Sequence, residues 1–101
     1  YAVIARFDAA LDTAVDNTYL TSALRTIRTH LARARRIARD NRERLLASVS
    51  EHRQIAEAIA AGDPELAAHA THVHLHNALS AILESLGGES PRTEPSTEGT
   101  R

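Results

Sequence analysis

"SVSEHRQIAEAIAAGDPELAAHATHVHLHNAL", residues 48–79, holds two runs of helically spaced apolar residues around a single turn signal, Gly62-Asp63-Pro64. Glycine commonly follows the last helical residue, aspartate is a favoured N-cap, and proline fits the first helical position. Glu65 then meets the positive end of the helix dipole. The stretch therefore predicts a helix that ends at Gly62 and another that begins at once. Ser48 and Glu51 match a capping box, which places the start of the earlier helix at Ser48. Stepping about 100° per residue around the later helix puts His74 in an arc with Ala67, Ala70, Ala78 and Ala81, with Leu75, Leu79, Ile82 and Leu86 further round. His69, His72 and His76 fall on the opposite arc with Glu65, Ser80 and Glu84. On the earlier helix His52 sits between Ile55 and Ile59 on one side and Val49, Ala56 and Ala60 on the other. Arg53, Gln54 and Glu57 face away. Two histidines are thus expected to point inward from adjacent helices.

Outward from this stretch the same periodicity continues, with no alternation of the kind a strand needs. A first helix is predicted from about residue 1 to 15, with Val3, Ile4, Phe7, Leu11, Ala14 and Val15 on one face. Asn17 can cap a second, which carries Leu20, Leu24, Ile27, Leu31, Ala34 and Ala38 and fades in "RDNRER", residues 39–44. The expected class is all-α: an antiparallel helical bundle with four helices over residues 1–86. Residues 87–101, "GGESPRTEPSTEGTR", lack the apolar surface to offset their ordering entropy and are expected to be a disordered tail.

With 101 residues, 43% of them hydrophobic, the chain fits one small domain. A net charge of -1 gives no bulk attraction to nucleic acid or anionic lipid. Cysteine is absent, so disulfides, thiolate metal sites and cysteine nucleophiles are excluded, and a metal would need nitrogen and oxygen ligands. There is no run of about 18 apolar residues and no charged-then-apolar leader, so a cytoplasmic protein without membrane contact is expected. The opening "YAVIARF" lacks methionine and already reads as helix, which implies a piece of a longer protein.

Several side chains carry candidate chemistry. Asp8 lies at the border of the first helix's apolar face, where a buried carboxylate is costly without a cation or hydrogen bonds. A metal held by Asp8, His52 and His74 would satisfy all three groups, and two histidines with one carboxylate can form a facial site with open positions. A metal-dependent helical enzyme is one reading of that set, although no further acid, base or nucleophile is well placed beyond Asp12. Arg28 and Arg35 flank the second helix's apolar stripe, and either can meet a carboxylate ligand with its planar fork. The arginine run "LARARRIARDNRER", residues 31–44, reads as a solvated face with Asp40 and Glu43, since no aromatic residue is interleaved for base stacking. His30 lies off the apolar stripe. The i, i+4 pair His72 and His76 reads as solvated.

Glu51-His52, Ala58-Ile59, Gly62-Asp63, Ala67 and His74-Leu75 together resemble the FCD domain, the effector-binding C-terminal domain of FadR-type members of the GntR family of bacterial transcription regulators. Phe7-Asp8 and Asn17 to Leu20 resemble an upstream segment of the same family. The resemblance covers residues 1 to about 86. It implies a helical bundle, a winged-helix DNA-binding domain upstream, homodimerisation, and DNA contact only through that upstream domain. It further implies a divalent metal, zinc or nickel, beside a small carboxylate effector. His52 and His74 match two of the family's metal-binding histidines. The family's Asp-x-x-Phe-His is replaced here by Ile4 and Asp8, which leaves Asp8, His52 and His74 as the expected ligand set and Arg28 as the expected effector contact. A metal-free helical interaction module is the remaining alternative.

Overall fold

A computed structural model describes residues 2–38 and 40–87, the side chains of 37 and 38 excepted. Four helices follow one another: α1 (Ala2–Val15), α2 (Thr18–Ala38), α3 (Arg42–Ala60) and α4 (Pro64–Gly87). No strand occurs among the described residues, so the class is all-α as expected. The chain divides into two units, residues 1–35 and 36–101. Of the tail expected over residues 87–101, Gly87 is instead the last residue of α4, and residues 88–101 lie outside the described residues.

In the first unit α1 ends where Asp16 turns into the left-handed region, φ 49°, while its N–H still reaches the Asp12 carbonyl at 3.1 Å. An aspartate tolerates this conformation better than most residues. Asn17 then caps α2 as its sequence predicts, its Oδ1 accepting the Leu20 N–H at 3.1 Å. Nothing on α1 is buried. Ile4, Phe7, Asp8, Leu11 and Asp12 form its half-buried stripe, and Thr21, Leu24, Arg28, Leu31 and Ala34 form that of α2.

In the second unit α3 and α4 pack as a helical hairpin around the turn that the sequence marks. The Asp63 N–H bonds the Ala58 carbonyl and the Gly62 N–H bonds that of Ile59, both at 3.0 Å, and Gly62 takes φ +69°. This is a Schellman close, which requires a left-handed residue and so favours glycine. Asp63 Oδ1 accepts the Leu66 N–H at 3.0 Å, as an N-cap should.

The start of α3 differs from expectation. It begins at Arg42, where Asn41 Oδ1 accepts the Arg44 N–H at 3.0 Å, and Glu43 lies in the first turn. Ser48 is therefore mid-helix, and the Ser48/Glu51 capping box does not exist. The inward face also lies differently. Glu51, Ile55 and Ala58 are the buried residues of α3, with His52 half-buried beside them, whereas Val49, Ala56, Ile59 and Ala60 are exposed. On α4 the inward line runs through Ala67, Ala70, His74, Asn77, Ala78 and Ala81, while Leu75, Leu79 and Leu86 are about half exposed. Small alanines let the two backbones approach, and Ile55 shares the space between them with the polar side chains of Glu51 and His74.

Candidate functional site

The centre of the second unit is the Glu51 carboxylate, 9% exposed. Each of its oxygens is met by one nitrogen of the Arg44 fork, Nη2 to Oε1 at 2.7 Å and Nη1 to Oε2 at 3.0 Å. Oε1 also accepts from His74 Nδ1 at 2.7 Å, and Oε2 from Asn77 Nδ2 at 2.8 Å. Burial alone would push this carboxyl up. The donors from Arg44, Asn77 and His74 outweigh it and hold the group at about 2. Glu51 is consequently ionised at neutral pH and can only accept hydrogen bonds.

That constraint fixes His74. A partner that only accepts requires a proton on Nδ1, so the neutral ring keeps its lone pair on Nε2. Burial pushes the His74 pKa down, an effect that the Glu51 hydrogen bond opposes, and the ring lies on the neutral side of its ordinary range. His52 obeys the same logic through a different partner. Its Nδ1 lies 2.8 Å from the Ser48 carbonyl, which likewise can only accept, and 3.4 Å from the Ser48 hydroxyl. The two rings meet edge to face, with centroids 4.3 Å apart and planes inclined by 65°. Both inward histidines therefore have Nδ1 engaged by an acceptor, the arrangement that orients metal-binding imidazoles through their other nitrogen.

In the first unit Arg28 is the hub. Its Nη1 and Nη2 grip Asp12 at 2.6 and 3.1 Å, and its Nε lies 3.8 Å from Asp8 Oδ2. The grip holds the Asp12 carboxyl below its ordinary value and the guanidinium above its own. The cation that Asp8 was expected to need is, within this unit, the Arg28 guanidinium. An open groove of about 330 Å³ beside it is lined by Asp12, Thr21, Arg25, Arg28 and Thr29.

Of the expected metal ligands, His52 and His74 come together in the second unit, and Asp8 belongs to the first. Among the described residues no group of three or more His, Asp or Glu side chains is arranged to hold a metal ion. Arg35 is exposed, as are His30, His69, His72 and His76, so the three outward histidines of α4 are as the sequence predicts, whereas Ser80 on the same arc is half-buried. His69 lies 3.9 Å from Glu65 on the solvated side of α4. Arg44, Glu51 and Asn77 are the site residues that sequence reasoning missed. The available signal was the seven-residue line Arg44, Glu51, Ala58 on α3, which becomes visible once the helix is started at Asn41.

A helical hairpin that holds two imidazoles in contact, one oriented by a buried carboxylate and one by a backbone carbonyl, has the makings of a binding site. The FCD domain profile matches residues 1–77, about three quarters of the chain, and the chain belongs to the FCD domain family. FCD is a family of regulatory domains, the effector-binding part of GntR-type regulators. No curated protein and no solved structure matches the chain. No described helix is long and apolar enough to cross a membrane.

Proposed function

We propose that this chain is the ligand-sensing, dimerising domain of a cytoplasmic GntR-type transcription regulator, and that it binds a small organic acid with the help of a divalent ion, zinc or nickel. The observation that carries this reading is the histidine pair, His52 and His74, each with Nδ1 held by an acceptor and the rings in contact. Imidazoles so held suit a borderline metal, which would supply a positive charge for an effector carboxylate. Asp8, expected as a third ligand from its place at the border of the apolar face of α1, belongs to the other unit, where it lies beside Arg28. Arg28 is the effector contact: its fork already grips a carboxylate, that of Asp12, so an effector carboxylate would compete for a geometry the side chain has adopted.

A metal-dependent enzyme is the weaker reading. Glu51, the one buried carboxylate of the described residues, is held ionised by its three donors, far from the near-neutral pKa that proton transfer requires. In the sensing reading the domain touches no DNA itself. Effector binding favours one arrangement of a homodimer and so alters operator affinity of a winged helix upstream. The half-exposed Leu75, Leu79 and Leu86, on one stripe of α4, supply apolar surface of the kind such an interface uses.

The test is calorimetric titration of mono-, di- and tricarboxylates into zinc-loaded protein. Saturable binding that is weakened both by Arg28→Ala and by His74→Ala supports the reading. Carboxylate binding indifferent to both substitutions contradicts it.

A further inference from the structure

Among the described polar groups of the second unit, Glu51 is met by Arg44, His74 and Asn77 and has no role in the ligand set above. We propose that Glu51 is a positioning residue: clamped by Arg44 and Asn77, its carboxylate dictates the tautomer of His74 and so presents Nε2 as the ligand atom. The inference rests on the proposed metal reading for its purpose but not for its mechanism, which concerns this chain's own hydrogen bonds.

The geometry supports it in three ways. The Glu51–His74 contact is short, 2.7 Å, and both side chains are about nine-tenths buried, so water does not compete for Nδ1. Glu51 cannot turn away from His74, because Arg44 engages both of its oxygens and Asn77 the second of them. Arg44, 12% exposed at its side chain, is in turn anchored near the first turn of α3, so the orientation of a residue on α4 is set from the start of the neighbouring helix. A carboxylate that merely neutralised Arg44 would need neither the His74 nor the Asn77 contact. Metal-binding histidines are oriented by acceptors of this kind, and loss of such an acceptor typically weakens the metal about 10- to 100-fold.

His52 provides an internal control. Its Nδ1 proton is held by the Ser48 backbone carbonyl, which no side-chain substitution removes. Glu51→Gln should therefore act on one histidine and spare the other, because an amide can donate as well as accept and no longer forces the proton onto Nδ1 of His74.

The experiment is nitrogen NMR of the histidine rings in the metal-free 101-residue chain at neutral pH, followed by zinc titration. The expected result is the Nδ1–H tautomer at both His52 and His74 in the wild type. Glu51→Gln should shift His74 toward Nε2–H, leave His52 unchanged and weaken zinc about 10- to 100-fold. An unchanged His74 tautomer in folded Glu51→Gln overturns the proposal. So does a wild-type His74 in the Nε2–H form, a reading that needs no variant and stands even if Glu51→Gln does not fold. A tautomer shift in protein that binds no zinc upholds the role of Glu51 and refutes the metal reading instead.

Discussion

Replacing Arg44 by methionine removes the cation from the buried Glu51 carboxylate while keeping a long apolar stem. Breaking one side of a buried pair costs about 3–5 kcal/mol in general. The cost is smaller here, because His74 and Asn77 still donate to Glu51. A second route gives a similar figure. The Glu51 carboxyl lies at about 2 instead of 4.5, each pKa unit is worth about 1.4 kcal/mol, and the donors together therefore outweigh burial by roughly 3 kcal/mol at neutral pH. Arg44 is the strongest of those donors, so its loss should cost about 2–3 kcal/mol. For a domain of this size that lowers Tm by roughly 8–24 °C. Urea unfolding followed by circular dichroism, on Arg44→Met, Glu51→Gln and the double variant, measures the pair directly. The double variant should be less destabilised than the sum of the single ones by more than about 1 kcal/mol. Additivity within about 0.5 kcal/mol would show that the two side chains do not act as a unit and would refute the buried-hub account.

Acid should destabilise the second unit in two stages. His74 has a depressed folded pKa, so the unfolded chain takes up protons first and stability falls as the pH drops below 6.5; Glu51, depressed from 4.5 to about 2, adds a further loss between those values. Urea midpoints from pH 7.5 to 3 read both stages, and the lower one should vanish in Glu51→Gln. Ile55→Ala, at a site 5% exposed, should cost about 2–5 kcal/mol, whereas Val49→Ala on the exposed side of the same helix should cost under about 1 kcal/mol in the isolated chain, again by urea unfolding. Arg28→Ala should raise the Asp12 pKa toward its ordinary value, which carbon NMR of the carboxyl resolves, and 1 M salt should produce part of the same change in the wild type.

How far the fold was legible follows from where each signal resides. Asn17 and the Gly62-Asp63-Pro64 turn were read correctly because caps are made by a residue and its immediate neighbours. His74 was placed inward because it shares an arc with Ala67, Ala70, Ala78 and Ala81, away from the polar arc of Glu65 and Glu84. The start of α3 was missed because Asn41 sits among arginines without an apolar neighbour, while the Ser48/Glu51 spacing imitates a cap further along. Arg44 and Glu51 were missed for a different reason. Charged residues are ordinarily exposed, and two of the three side chains that hold Glu51 inside, His74 and Asn77, stand on another helix, which no local pattern contains. The leucines show the reverse failure. Leu75 and Leu79 were grouped with the apolar arc, but α4 is apolar on more than one side, and the side facing α3 is the one with the small residues.

Metal content bears most directly on the central claim that the inward histidines hold an ion. Protein purified without a metal column and equilibrated with zinc should carry about one equivalent by elemental analysis. His52→Ala and His74→Ala should each lose it, and the outward His72→Ala/His76→Ala variant should retain it. Zinc absent from the folded wild type, or zinc lost with His72 and His76 and kept without His52 and His74, would contradict the account.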